Sequence, residues 1–298
     1  VLGSRGLGDV YKRQVIYSAI PSLDVAKVAG EYAEKNNIKF IIDIQDLWPE
    51  AFEMIFKVPI LKDLIFYPMR KKADKIYSMA DSIIGVSNTY ADRAGIVNKK
   101  YKHKLAVFLG TDLDYFDNAH KKNEIVIFDD VIRVAYIGTL GHSYDLKCVI
   151  NAFKLLHKKD IKNILLVVMG SGPLKEEFEK YAKDNNVNSE FLGRLDYEEM
   201  VGYLCACNIA VNPISKGAAQ SIINKVGDYA AAGLPVINTQ ESVEYRKLVE
   251  DYQIGFNIEN GNSEELAEAI EYLYKNEDLR KRLGENLSLI HISEPTRP

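Results

Sequence analysis

Short unbroken runs of valine, isoleucine and leucine alternate along this chain with longer stretches in which apolar residues recur every three or four positions. The runs at 15–18, 40–44 and 82–87 read as strands, and the stretches 23–36 and 61–79 between them as amphipathic helices. A second series opens with a strand at 133–138, a helix at 146–157 and a strand at 164–170. It continues through EFLG, IAVNP, LPVINT and GFNI, each preceded by a helical stretch. Continuous rather than alternating apolar strands predict burial on both faces, as parallel sheets require. Strand–helix alternation over the whole chain predicts an α/β protein made of two doubly wound units. The rhythm breaks at 118–130, where charges crowd, so the expected units are 15–120 and 121–287. Residues 1–14 and 288–298 share neither rhythm and resemble translated adapter read-through; they are expected to be non-native ends and are left out of the fold.

Composition narrows the class. With 47% hydrophobic residues over 298 positions, the chain has enough apolar surface to bury two cores, which excludes a disordered protein. A net charge of −4 supplies no field for nucleic acid. Three cysteines without a C-x-x-C pair exclude a disulfide framework; Cys205 and Cys207 read as core fillers. No apolar run reaches the ~18–20 residues that cross a bilayer. A cytoplasmic protein is expected. The stretch 52–77, with Arg70, Lys71, Lys72 and Lys75 beside Ile65, Phe66 and Tyr67, offers a surface for the anionic inner face of a membrane; a helix with one solvated face is the plainer alternative.

Candidate chemistry gathers at strand ends, where open parallel sheets bind ligands. Three such ends carry glycine: YIGTLGHS with Gly138, Gly141 and His142, MGSGP with Gly170 and Gly172, and FLGRLD with Arg194. Glycine lets backbone approach a ligand, and free N–H groups at a helix start favour phosphate. The segment NPISKGAAQSIINKVGDYAAAGLPVINT adds Gly217, Ala218 and Ala219 before an expected helix reaching Ala232. On that helix Asn224 and Asp228 share a face, with Gln220 one turn earlier. Asp228 suits the two hydroxyls of a ribose, and Lys225 suits a phosphate; a solvated helix is the bland alternative. The five histidines show no metal-ligand spacing.

Taken together, these segments resemble the family-4-type glycosyltransferases, retaining enzymes of the GT-B fold. In the first half DIQDLWPE, with Asp43, Asp46, Trp48 and Glu50, resembles the D-x-W-P element of bacterial surface-polysaccharide members. DSIIGVS matches a V-S helix start, and FLGTDLDYF, with Gly110 and Asp112, matches the interdomain loop. The resemblance implies transfer from a nucleotide-diphosphate sugar, with retention, to a lipid-linked or polysaccharide acceptor that meets Asp43–Glu50. It implies no cofactor and no metal. Asp112-x-Asp114 imitates a metal-binding D-x-D, but its place in the interdomain loop suits shaping the cleft beside Gly110.

Departures from the pattern shift the expected roles. The family's two glutamates, with seven residues between them, fall on Gln220 and Asp228, and its phosphate-binding Arg and Lys on Thr139 and Tyr144. Gln220 is therefore expected to hold sugar hydroxyls, and Lys225, with Arg194, to carry the charge against the diphosphate. The usual N-terminal glycine-rich strand–loop–helix is not recognised before residue 15, so the resemblance implies two Rossmann-like domains, the first incomplete, and a fragment is expected. Two other functions stay open: a non-catalytic sugar-nucleotide-binding partner, and a sugar-nucleotide epimerase, for which His142 is the cleft's acid–base candidate.

Overall fold

All the strands expected from apolar runs form, and all pair in parallel. The structure, a computed structural model, describes residues 14–53, 59–218 and 224–293. Most of the two expected non-native ends, and 54–58 of the basic stretch, lie outside the described residues.

The first unit contains β1 (Val15–Ile20), α1 (Leu23–Asn36), β2 (Lys39–Ile44), α2 (Glu50–Glu53), α3 (Pro59–Met79), β3 (Ser82–Gly85), α4 (Asn88–Val97) and β4 (His103–Ala106). Its sheet order is β1-β2-β3-β4. α1 buries Leu23, Ala26, Gly30 and Ala33, one helical stripe, and ends where Asn37 turns left-handed at φ 53°. α4 starts at Ser87, whose hydroxyl accepts the Tyr90 N–H at 3.3 Å, which accounts physically for the V-S helix start.

The second unit holds α5 (Leu113–Lys122), β5 (Ile132–Ile137), α6 (Leu146–Lys158), β6 (Ile164–Met169), α7 (Lys175–Asp184), β7 (Ser189–Gly193), α8 (Tyr197–Cys205), β8 (Ile209–Asn212), α9 (Lys225–Ala231), β9 (Val236–Asn238), α10 (Val243–Asp251), β10 (Gly255–Asn257), α11 (Ser263–Lys275) and α12 (Glu277–Ser293). The sheet order β10-β9-β8-β5-β6-β7 reverses between β5 and β8. β6 is buried throughout: Leu166 and Val168 feed one core, Leu165, Val167 and Met169 the other. This two-sided burial is why its sequence reads as an unbroken apolar run.

Two boundaries differ from expectation. The units divide at Val107/Phe108, not at 120/121. The segment joins the second unit because α5 buries Phe116 and Ala119 in the core that α8 supplies with Val201 and Leu204. At the other end α12 runs to Ser293, into the segment expected to follow a finished helix. No glycine or proline stands between Gly284 and Pro295 to stop it.

Candidate functional site

The reversal of strand order makes a crevice, and one tyrosine closes its floor. β5 and β8 pair only at Val134/Ile209 and Ala135/Ala210. Beyond that point the hydroxyl of Tyr229, on α9, takes over the ladder. It accepts the Ile137 N–H at 3.1 Å and donates to the Val211 carbonyl at 3.1 Å. Tyr229 is wholly buried, and burial pushes its phenol well above the ordinary value. The bond ties α9 across the switch point, the place where such sheets receive ligands.

There a cleft of about 580 Å³ is lined by Gly138, Thr139, Gly170, Ser171, Gly172, Arg194, Leu195, Met200, Lys225 and Asp228, with Ile137 and Met169 beneath. Of the expected donor-site residues it brings together Gly138, Gly170, Gly172, Arg194, Lys225 and Asp228. Two of the glycines have a different reason from the one expected. A Cβ on Gly170 (φ +156°) would stand 1.8 Å from the Gly138 carbonyl oxygen, and one on Gly172 would stand 2.3 Å from that of Leu140. The 138–140 and 170–172 loops lie back to back, with the Leu140 N–H donating to the Ser171 carbonyl at 3.0 Å. The close approach is therefore loop against loop.

Lys225 is 8% exposed, and its Nζ has no hydrogen-bond partner among the described residues. The amine stands 4.2 Å from the centre of the Tyr136 ring and 4.0 Å from that of Tyr144, beside Gly138, whose Cβ would lie 3.1 Å away. Burial holds its pKa well below the usual lysine value. Tyr144, at the position where the family pattern has a cation, forms one wall of the cage around a cation from another element. Asp228 accepts from the Thr111 and Tyr197 hydroxyls, each at 2.9 Å from Oδ1. Burial and the Asp228 carboxylate raise the Tyr197 phenol, whose ring stacks on Tyr115 at 5.5 Å. A Cβ on Gly227 would meet Thr111 Oγ1 at 2.7 Å and the Gly110 carbonyl carbon at 3.5 Å, so 110–111 lies against α9. Tyr136, Tyr144, Tyr197 and Thr111 were missed as site residues. Their roles come from contacts across the fold, for which local spacing carries no signal.

Other expected donor residues fall elsewhere. His142 lines a separate cavity of about 210 Å³ with Tyr144, Asp145, Lys147, Glu177 and Ser215; Gly141 lines neither cavity. The Gly217 N–H donates to Glu241 Oε2 at 2.9 Å and the Ala218 N–H to the Ser215 carbonyl at 3.0 Å, so both are spent within the protein rather than offered to phosphate. Asn224 is exposed at the N-cap of α9 and does not line the cleft. Ala219 and Gln220 lie outside the described residues.

In the first unit the acidic residues of DIQDLWPE are engaged internally. Asp43, 2% exposed, accepts from the Tyr17 hydroxyl at 2.5 Å and from Gln45 Nε2 at 3.2 Å. Asp46 accepts the Leu47 N–H at 2.9 Å and Trp48 Nε1 at 3.2 Å. Glu50 takes Arg93 Nε at 2.5 Å while Arg93 also donates to Asp74 at 2.7 Å. Of the four named residues, Trp48 alone lines the cavity of about 680 Å³ that Leu23, Ile65, Pro68, Met69 and Lys72 also border. Asp112 caps α5, accepting the Tyr115 N–H at 3.0 Å. Phe66 turns inward, and three of the cluster's four basic side chains are paired: Arg70 with Asp63, Lys72 with Asp24 and Lys75 with Glu31. Among the described residues no helix is long and apolar enough to cross a membrane.

Comparison with known proteins fits this geometry. The family model "Glycosyl transferases group 1" matches residues 117–288. The uncharacterised glycosyltransferase MJ1178 of Methanocaldococcus jannaschii is 32% identical over 201 residues, 67% of this chain and 54% of that one. The GalNAc-alpha-(1->4)-GalNAc-alpha-(1->3)-diNAcBac-PP-undecaprenol alpha-1,4-N-acetyl-D-galactosaminyltransferase of Campylobacter jejuni is 25% identical over 175 residues, 57% of this chain and 44% of that one. The chain spans about half the length of these curated relatives. Among solved structures, Anabaena Alr3699/HepE in complex with UDP superposes with a TM-score of 0.71 at 16% identity, over 95% of this chain and 75% of that one, a likeness of fold.

Proposed function

The chain belongs to the group 1 glycosyl transferase family and has the GT-B fold, and we propose that it is a glycosyltransferase that moves a sugar from a nucleotide-diphosphate donor, with retention, to a lipid-linked or saccharide acceptor in cell-surface polysaccharide synthesis. The observation that carries the donor reading is the Lys225 amine, buried without a hydrogen-bond partner beside Gly138 in the switch-point cleft.

In this reading the diphosphate lies along Gly138 and Thr139, between Lys225 and the exposed guanidinium of Arg194. As the bond from the anomeric carbon to the leaving oxygen breaks, negative charge grows on the diphosphate, and a nearby cation stabilises it more than it stabilises the ground state. This chain's side chains supply that charge in place of a metal or cofactor. Asp228 takes the ribose hydroxyls in exchange for the Thr111 or Tyr197 hydroxyl, and Met200 and Leu195 give the base an apolar seat. The complex of HepE with UDP supports a nucleotide in this kind of fold. The C. jejuni enzyme, whose name specifies an undecaprenyl-diphosphate-linked glycan, supports a lipid-carried acceptor. The Trp48 cavity, with an apolar wall and Lys72 at its edge, is the acceptor side in this reading. The ion pairs on α3 leave a peripheral membrane contact to its exposed Leu64, Ile65 and Tyr67 rather than to its charge.

Donor turnover by the protein in its full-length form, lost in Asp228→Ala, is the expected result. Lys225→Ala should weaken nucleotide-sugar binding by ~1.5–3 kcal/mol, the worth of a charge-assisted hydrogen bond. Unchanged calorimetric affinity removes Lys225 from the donor site, and a product of inverted anomeric configuration by NMR ends the retaining reading. A second reading, a sugar-nucleotide-binding partner without catalysis, is favoured by Gln220 standing where the family pattern has an acid. Binding without turnover would select it.

A further inference from the structure

Among the described residues, the groups around the Lys225 amine face it with aromatic rings and take no hydrogen bond from it. From β5 comes the face of Tyr136, whose own hydroxyl is committed to the Thr139 carbonyl at 2.7 Å. From the turn before α6 comes the face of Tyr144. On α9 itself, Tyr229 is tied to Ile137 and Val211, and Asp228 accepts from Thr111 and Tyr197; among the described residues no ion pair joins Asp228 to Lys225. The remaining charged residue lining the cleft is Arg194, a second cation. Ring faces draw an ammonium by their quadrupole, but they cannot take three N–H bonds as a carboxylate and water do.

We propose that Lys225 is a neutral amine in the empty cleft, and that capture of the donor brings one proton onto its Nζ. The ammonium that faces the leaving diphosphate is then made by substrate binding. The inference rests on the donor-site reading above and deepens it. The balance is simple: the amine nitrogen gives its lone pair to a proton taken from solvent, and no bond in the donor changes at this step. The doubly negative diphosphate is the missing counter-charge, and it supplies acceptors for the new N–H bonds. Burial alone drives the depression of the lysine's pKa in the empty protein, with no carboxylate opposing it. The sign follows. Below the empty-cleft pKa the amine is already charged and affinity is flat. Above it, affinity falls about tenfold for each pH unit until the pKa of the complex is passed.

The test is titration calorimetry of the whole protein with UDP-, GDP- and ADP-sugars, whose diphosphates do not titrate near neutrality, in buffers of different ionisation enthalpy. The wild type is expected to take up about one proton per donor bound. Lys225→Arg, whose guanidinium stays charged, is expected to bind with the same heat in every buffer. Should that variant fail to fold, the wild-type pH series carries the same information. Wild-type heats that do not change with buffer, together with a flat affinity from pH 6 to 9, overturn the proposal while leaving the donor site standing. Absence of binding by every nucleotide sugar overturns the donor site and the proposal with it.

Discussion

Two side chains at the switch point make opposite contributions to the empty protein. Tyr229 satisfies a buried donor and a buried acceptor with one hydroxyl. Tyr229→Phe leaves the Ile137 N–H and the Val211 carbonyl without it and should cost about 1–3 kcal/mol in denaturant unfolding. Lys225 is the reverse case, a buried amine with nothing to bond. Lys225→Met should stabilise the empty protein by about 1–3 kcal/mol while weakening donor binding. The pH dependence of this pair of proteins has a definite sign. In the unfolded chain the lysine stays protonated up to its ordinary pKa near 10.4; in the fold it gives up its proton at a lower pH. The unfolded state therefore binds more protons between those two values, and wild-type stability rises with pH across that window. Lys225→Met lacks the rise, so its advantage shrinks toward alkaline pH; an advantage that grows with pH would refute the depressed pKa. Lys225 could be picked from the sequence because it is a cation on an expected helix at a strand end, on the face next to that of Asp228. Its cage could not, because Tyr136 and Tyr144 reach it from a strand and a loop far away in the chain.

At the level of elements, what can be read from residues depends on what buries them. β6 is covered on both faces, so its six residues are apolar and the strand announces itself. β4 is a sheet edge with three of its four residues exposed, so HKLA carries no run and was not anticipated. Glycines mislead in a different way. At Gly170 the backbone does come close to something, but that something is the neighbouring loop that forms the cleft wall. Gly170→Ala sets a Cβ against the Gly138 carbonyl at a φ that side chains rarely adopt. It should cost at least about 3 kcal/mol in thermal unfolding and displace Gly138 with it. Gly138, at φ +127°, also disfavours a side chain, but a Cβ there meets the movable end of Lys225 rather than backbone, so Gly138→Ala should cost less stability than Gly170→Ala and leave the loops paired. Its effect on donor binding should therefore be larger, relative to its effect on stability, than that of Gly170→Ala, and the ratio in the two variants separates the wall's integrity from its use.

For the molecule as a whole, the question is which core owns the connecting segment. Charges at 118–130 suggested a boundary near 120, because a linker and an amphipathic helix on a domain surface share a polar composition. The decisive residues are few and apolar: Phe116, 2% exposed, and Ala119, 1%, against Val201 and Leu204 of α8. Thr111, just ahead of them, hydrogen-bonds Asp228, so the same segment that completes the core also reaches the proposed donor cleft. Phe116→Ala should cost about 3–5 kcal/mol, the range for removing a buried phenylalanine. The loss should fall on the second unit. If the two units melt separately in calorimetry, the transition protected by nucleotide sugar is the one that moves down, and the other stays in place. A shift of the unprotected transition instead would return 108–122 to the first unit and detach Thr111 from the donor site.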